Sequence, residues 1–138
     1  MLHLPSGQLG DRSLAPVGRH CILELYGCPA TRLNDTALIR ELLRESAECA
    51  CSTFLGDLIH QFAPHGITAV ALLAESHISI HTWPEEGYAA IDVFTCGEHT
   101  QPEQACYCFI DQLEARHHSL CILPRKTHQP IHIKTFER

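Results

Sequence analysis

Three strand-like segments follow one another in the middle of the chain, with very short turns between them. The segment 67–74, "ITAVALLA", is almost continuously apolar, whereas "HISIHTW" (77–83) and "YAAIDVFTC" (88–96) mix apolar and polar residues in the manner of half-buried strands. Only "ES" separates the first two segments, and "PEEG", a typical hairpin turn, separates the last two. This run predicts a mostly antiparallel sheet in which 67–74 is a central strand.

Further strands are predicted on both sides of this run. "RHCILELYG" (19–27) is a strand that ends at glycine and is followed by proline. "CSTFLGDLIHQF" (51–62) is another, interrupted at Gly56. The segments "SLCIL" (119–123) and "PIHIKTF" (130–136) predict two short closing strands.

Two segments carry helical patterns. Apolar residues recur at helical spacing through 34–50, and Asn34 or Asp35 is the predicted N-cap. "TQPE" (100–103) has capping-box spacing with proline near the first turn, which predicts a second helix through about His117. The buried stripe of this second helix is expected to hold Ala105, Phe109 and Leu113. Two helices set against a mostly antiparallel sheet predict an α+β fold, a two-layer sandwich with both helices on one face.

Length and composition are those of one globular domain. The 138 residues fit a single domain (1–138), and the net charge of −6 provides no basic surface, so we expect no nucleic-acid partner. Apolar runs such as 69–74 are too short to span a bilayer, so we expect no membrane partner. Residues 1–17 contain Pro, Gly and Asp where a signal peptide needs an apolar core, and they predict a loose N-terminal extension. We therefore expect a cytoplasmic protein whose eight cysteines are reduced.

The central hairpin concentrates reactive side chains. If the chain folds about Glu86–Gly87, the numbers of paired residues sum to about 173. His81 then lies opposite Asp92, and Cys96 lies opposite His77. We expect His77 to be a structural strand residue that is hydrogen-bonded to the backbone.

Ser76 and His81 would point to opposite faces of an unbroken strand, because an odd number of residues separates them. The backbone must turn or strain at Glu75–Ser76 for the two side chains to cooperate. A strained peptide bond beside a serine hydroxyl favours attack of that hydroxyl on the preceding carbonyl, an N-to-O acyl shift that gives an ester. Elimination from this ester needs a base near the serine α-proton, which a histidine supplies well. The new chain would begin with dehydroalanine, which hydrolyses to a pyruvoyl group and ammonia.

The residues around this serine resemble a known family. "AESHISIHTWPE" (74–85) followed by "GYAAIDVFTCG" (87–97) is similar to the short prokaryotic S-adenosylmethionine decarboxylase proenzymes. The resemblance begins at "GRHCILELYGC" (18–28), continues through 60–97 and fades along the second predicted helix. The block around the serine is far more specific than a lone short motif.

The resemblance implies a proenzyme that cleaves itself. Ser76 matches the pyruvoyl precursor, so cleavage at its N-terminal side would give a β chain (1–75) and an α chain (76–138). His81 matches the histidine that accepts the proton in β-elimination during processing. Thr68 occupies a position where the family often has a serine whose hydroxyl assists the acyl shift.

For catalysis, the resemblance implies a pyruvoyl group made from Ser76 and no metal. The pyruvoyl carbonyl would form a Schiff base with the amino group of S-adenosylmethionine and draw in electrons as CO2 leaves. Cys96 matches the proton donor, and the product would serve spermidine synthesis. Phe62 matches an aromatic residue that stacks on adenine, and Glu85 matches a carboxylate that binds the ribose hydroxyls. The resemblance implies that Phe62 and Glu85 of one site come from different protomers of a homodimer of αβ units.

Other functions remain open at this point. Gln61 and His65 replace residues that are commonly Arg and Tyr in the family, which leaves room for a pyruvoyl-dependent decarboxylase of a basic amino acid such as ornithine or arginine. A His/Cys metal-binding module is a remote alternative, because "CAC" (49–51) and "CYC" (106–108) fall in predicted helices where such residues diverge. A non-catalytic homologue that regulates a partner is a third. Each site residue also has an ordinary interpretation as a turn, packing or surface residue.

Overall fold

One antiparallel sheet forms the body of the protein in the structure, a computed structural model that describes residues 16–128. The six strands run in the spatial order β2-β3-β4-β5-β1-β6. The strands are β1 (Gly18–Tyr26), β2 (Phe54–Gln61), β3 (Ile67–Leu73), β4 (Ser76–Trp83), β5 (Tyr88–Cys96) and β6 (His117–Arg125). The predicted strand 119–123 is part of β6, whereas the predicted strand 130–136 and most of the predicted extension 1–17 lie outside the described residues.

The prediction that 67–74 is a central strand is wrong. β3 lies next to the edge strand β2, and β4 and β5 occupy the centre of the sheet. β3 buries only one of its faces: Ala69 and Ala71 are buried, while Val70 and Leu72 are 37% and 58% exposed. Its apolar run therefore reflects an apolar face on which none of the helices of residues 16–128 packs.

Three helices are described, α1 (Ala30–Leu33), α2 (Thr36–Cys49) and α3 (Pro102–Gln112). Asp35 caps α2 as predicted, and its Oδ1 accepts a hydrogen bond from the Leu38 N–H at 3.1 Å. The short α1 was not predicted, because four residues are too few to show a periodic pattern. None of the helices between residues 16 and 128 has the length and apolar character needed to cross a bilayer.

The hydrophobic core lies between the sheet and the two longer helices. The predicted stripe of α3 is confirmed, since Ala105, Phe109 and Leu113 are fully buried. The largest fully buried side chains are Phe109, Leu23, Leu25, Leu33, Ile39, Leu42, Leu43, Ile67, Ile78, Ile80, Ile91 and Leu113. This layer arrangement confirms the α+β two-layer sandwich. Within the described part of the chain, no helix covers the second face of the sheet. That second face is called the open face below.

The capping box predicted for α3 does not form. The N-cap is Gln101, and no side chain caps it. Thr100 Oγ1 instead donates to the Gly97 carbonyl at 2.9 Å, and Glu103 pairs with Arg19 of β1. The helix also ends at Gln112, before the predicted His117, because Glu114 has a positive φ of 50° that breaks the helix.

The predicted register of the central hairpin is wrong by two residues. His81 pairs with Ala90 and Asp92 with Ser79, so the paired numbers sum to 171. The reason is the turn: Pro84–Glu86 forms a single 3-10 turn, and Gly87 follows with φ 63°. Pairing therefore resumes at Tyr88, opposite Trp83. A shift of two keeps every side chain on its predicted face.

Candidate active site

The Ala74–Glu75 turn joins β3 to β4 and holds Ser76 in an unusual backbone conformation. Leu73 pairs with Ser76 across this turn, so the chain reverses within two residues. The φ of Ser76 is 149°, a positive value that residues with a Cβ rarely adopt. Such conformations cost about 1–3 kcal/mol. The structure therefore has strained backbone at the link where the sequence required a turn or strain.

The carbonyl oxygen of Glu75 is held by the backbone of β5. It accepts a hydrogen bond from the Cys96 N–H at 2.8 Å. Cys96 pairs with Gly18 of β1, where a Cβ atom would lie 2.7 Å from the Thr95 carbonyl oxygen and 3.2 Å from Cys96 Sγ. Glycine is thus required for the close approach of β1 to this corner. A donor fixed on the Glu75 carbonyl polarises it and is placed to stabilise an oxyanion formed there.

The side chain of Glu75 is also held. Its Oε1 accepts the Thr53 N–H at 2.8 Å, and its Oε2 lies 3.3 Å from both Thr53 Oγ1 and His99 Nε2. The Thr53 N–H, followed by His99, lowers the pKa of the Glu75 carboxyl. Because the charged form is favoured, these contacts persist below the ordinary carboxyl pKa and are lost only as pH falls through the lowered value. We call Thr53, Glu75 and His99 the Glu75 clamp.

The hydroxyl of Ser76 contacts the next residue in the chain. Ser76 Oγ lies 3.2 Å from His77 Nδ1. The sequence suggested that His77 would bond to the backbone, and the structure instead places its ring against the hydroxyl. The signal that could have revealed this contact is the adjacency of a histidine to a serine at a strained turn.

Thr68 and His81 form a second polar group. They are directly opposite each other on β3 and β4, and Thr68 Oγ1 lies 2.9 Å from His81 Nδ1. Both belong to the open face, since their strand neighbours Ala69 and Ile80 are buried against the helices. His81 is five residues along β4 from Ser76, which separates their Cα atoms by about 16 Å at ~3.3 Å per residue. One chain therefore does not bring His81 to its own Ser76.

Phe62 and Glu85 lie at the end of the sheet opposite Ser76. Phe62 follows β2, is 49% exposed and meets the His60 ring edge-on at 4.6 Å. Glu85 lies in the β4–β5 turn, and its Oε2 is 2.8 Å from His65 Nε2. The structure thus splits the site residues into two groups, with Ser76, Glu75 and Cys96 at one end of the sheet. Thr68, His81, Phe62 and Glu85 lie toward the other end.

Among residues 16–128 there is no group of three His, Cys, Asp or Glu side chains arranged to hold a metal ion. All eight cysteines lie in this range and are free thiols.

Comparison with known proteins identifies the family. The family model described as S-adenosylmethionine decarboxylase matches residues 19–126. The chain belongs to the S-adenosylmethionine decarboxylase family. The match includes both groups of site residues and the turn between β3 and β4.

Individual members of the S-adenosylmethionine decarboxylase family resemble the chain over most of its length. It is 57% identical over 111 residues to the S-adenosylmethionine decarboxylase proenzyme of Parasynechococcus marenigrum (strain WH8102), covering 80% of this chain and 87% of that protein. The proenzyme of Caldicellulosiruptor saccharolyticus is 48% identical over 101 residues, covering 73% and 82%. The crystal structure of the adenosylmethionine decarboxylase from Aquifex aeolicus VF5 superposes with a TM-score of 0.77 at 39% identity, covering 83% of this chain and 95% of that one.

Proposed function

We propose that this chain is a self-processing, pyruvoyl-dependent decarboxylase that converts S-adenosylmethionine to decarboxylated S-adenosylmethionine and CO2 in the cytoplasm, for spermidine synthesis. The observation that carries the proposal is the Glu75–Ser76 link. It combines a positive φ, a serine hydroxyl next to the scissile bond and a carbonyl held by the Cys96 N–H. Membership of the family supports S-adenosylmethionine as the substrate.

Self-processing begins with attack of Ser76 Oγ on the Glu75 carbonyl carbon. The Cys96 N–H, at 2.8 Å, stabilises the oxyanion. Breaking the C–N bond converts the strained amide to an ester and frees the Ser76 amino group, which releases the strained φ. Loss of the Ser76 α-proton then expels the Glu75 carboxylate, and hydrolysis of the resulting dehydroalanine gives the pyruvoyl group and ammonia. The residues at this turn therefore fit the formation of the cofactor.

The histidine that the family resemblance assigns to elimination is not brought to Ser76 by the same chain. That histidine is His81, which is about 16 Å along the strand. A second copy of the chain related by a two-fold axis resolves this separation, because the two ends of the sheet exchange places across such an axis. We therefore propose a homodimer of αβ units in which the partner's His81 serves Ser76.

The open face is the surface through which the two copies would meet. It carries Leu58, Val70 and Leu72, which are 76%, 37% and 58% exposed, and Leu58 pairs directly with Val70. A contiguous apolar patch on a sheet face is typical of a protein interface, and two sheets can pack face to face about 10 Å apart. The same face carries Thr68 and His81. A second copy is thus the occupant that both covers the patch and completes the site.

Substrate binding is proposed to use Phe62 for the adenine ring and Glu85 for the ribose hydroxyls. Both lie at the end of the sheet that carries His81. The two-fold that joins His81 to Ser76 therefore brings both residues from the same partner, whereas the family resemblance implied one from each protomer. His65 restrains Glu85, and Gln61 Nε2 donates to the Asn34 carbonyl at 2.9 Å. The two residues that depart from the common family pattern thus shape the loops around the proposed substrate site.

The substrate is tested by measuring CO2 release from carboxyl-labelled S-adenosylmethionine, ornithine and arginine in parallel. The proposal predicts release from S-adenosylmethionine alone. Release from ornithine or arginine in its place would favour the basic amino acid decarboxylase and would assign Gln61 and His65 to a different pocket. No release from any of the three by fully cleaved protein would contradict a decarboxylase.

Substitution of Cys96 is predicted to impair decarboxylation of the substrate without preventing self-cleavage of the chain. Once formed, the pyruvoyl group supplies the electron sink for decarboxylation. The Cys96 thiol is proposed to donate the proton to the substrate carbon, whereas its N–H holds the Glu75 carbonyl during processing. Cys96→Ala removes only the thiol, so we expect cleavage to persist while CO2 release falls by about 10²–10⁴-fold. Cys121→Ala, at an exposed thiol, is the control, and equal turnover in both variants would contradict the assignment.

The Glu75 clamp is predicted to speed cleavage by keeping the strained link in place. Glu75→Ala removes the contacts to Thr53 and His99, and we expect cleavage to slow about tenfold, equivalent to ~1.4 kcal/mol. Glu98→Ala changes an exposed neighbour of the same charge and is the matched control. Cleavage is followed by intact mass after cell-free synthesis is stopped. Equal rates for the two variants would show that the clamp has no part in processing.

A further inference from the structure

His77 is the ionisable side chain that lies against the Ser76 hydroxyl. Its Nδ1 is 3.2 Å from Ser76 Oγ, within reach for proton transfer. His81, the histidine assigned to elimination, is about 16 Å away along the same strand. The first step of processing therefore has a candidate base within the chain, and the family resemblance assigns that base no role.

We propose that His77 is the general base of the acyl shift, which takes the Ser76 hydroxyl proton as Oγ attacks the Glu75 carbonyl. The proposal rests on the self-processing proposed above. The proton passes from Oγ to Nδ1 while the Oγ–C bond forms and the carbonyl electrons move onto the oxygen. His77 then returns the proton to the Ser76 nitrogen as the C–N bond breaks. Atoms and charges balance, and the base is regenerated.

The surroundings of His77 suit this role. Its ring packs edge-on to Phe94, with the ring centroids 6.0 Å apart, which fixes the ring on the open face. When Nδ1 accepts from Ser76, the ring proton of neutral imidazole lies on Nε2. The base thus lies against the hydroxyl, and the Cys96 N–H holds the Glu75 carbonyl that this hydroxyl would attack, which is the arrangement that acyl transfer requires. His77 acts before elimination and His81 acts during it, so the two histidines divide the processing reaction.

Hydroxylamine separates these two steps, because it cleaves an ester without any need for elimination. Its product is an α chain that begins with unmodified serine, whereas normal processing gives an α chain lighter by one ammonia. Freshly synthesised wild type, His77→Ala, His77→Asn and His81→Ala are incubated with and without hydroxylamine, and intact masses are followed over time. His118→Ala, at an exposed histidine of β6, is the control.

For His77→Ala we expect both normal and hydroxylamine-dependent cleavage to slow by about 10²–10⁴-fold, with partial rescue by added imidazole. His77→Asn is expected to be as slow, since an amide can hydrogen-bond to the hydroxyl but cannot accept its proton. His81→Ala should still be cleaved by hydroxylamine. Thermal unfolding of each variant is measured alongside, and imidazole rescue has no explanation in a folding defect.

Three results would overturn the proposal. The first is cleavage of His77→Ala at the wild-type rate, and the second is cleavage of His77→Asn at the wild-type rate. The third is a His77→Ala variant that loses normal cleavage but is still cleaved by hydroxylamine at the wild-type rate. The last would place His77 in elimination. Failure of self-processing itself is distinguishable, because wild-type protein would then remain one chain with and without hydroxylamine.

Discussion

Ser76→Ala is expected to leave the protein as one uncleaved chain without decarboxylase activity. The substitution removes the hydroxyl that is the nucleophile of the acyl shift. Alanine also has no oxygen on Cβ to eliminate, so the dehydroalanine that gives the pyruvoyl group cannot form. Because both losses are complete, we expect no fragments by intact mass and no CO2 release from S-adenosylmethionine. This is the largest effect that any single substitution in the chain should produce.

The matched control is Ser79→Ala, which removes a hydroxyl from the same strand. Ser79 lies in the middle of β4, opposite Asp92, where the backbone is regular. We expect the Ser79→Ala variant to cleave itself and to decarboxylate the substrate. Cleavage of Ser76→Ala at the usual bond, or decarboxylation by its uncleaved chain, would contradict the assignment of Ser76.

Mixing two inactive variants is expected to restore cleavage. Ser76→Ala and His81→Ala should each remain uncleaved alone. In a mixed dimer the His81→Ala chain still has Ser76, and its Ser76→Ala partner still has His81. If the site is shared across the two-fold, the His81→Ala chain is cleaved, and its α fragment is recognised by the mass of the substituted residue. Co-expression with two different affinity tags isolates the mixed dimers.

The control replaces the Ser76→Ala partner with a chain that carries both substitutions. No His81 is then present, and the His81→Ala chain should stay intact. If His81→Ala remains uncleaved in isolated mixed dimers with Ser76→Ala, the partner does not supply the base. Failure to isolate any mixed dimer would contradict the homodimer itself.

Elements defined by local interactions could be predicted from the sequence. The Asp35 cap, the stripe of α3 and the strain at Glu75–Ser76 depend on residues close together in the chain. The capping box failed because Thr100 and Glu103 bond elsewhere in the fold, Glu103 with Arg19 on a distant strand. A local capping motif does not reveal that its side chains bond to residues distant in the sequence.

The arrangement of the site could be predicted only in part. The motif identifies Ser76 and His81. The structure shows that β4 pairs with β5 without a break between them, so the two residues lie far apart along the strand. The contact of His77 with Ser76 depends on the positive φ, which brings neighbouring side chains together in a way that strand alternation does not predict. The apolar run of β3 predicted a central strand because a continuous apolar run is typical of a strand buried on both faces. The same run also occurs here, where Val70 and Leu72 form an exposed apolar face.

The most direct test of self-processing is the intact mass of the purified wild-type protein under denaturing conditions. We expect two fragments, 1–75 and 76–138, the second lighter by one ammonia than simple hydrolysis would give. That deficit is the signature of a pyruvoyl group, because hydrolysis alone leaves serine at the new terminus. A single chain of 15.4 kDa after long incubation, or a second fragment that begins with unmodified serine, would contradict it.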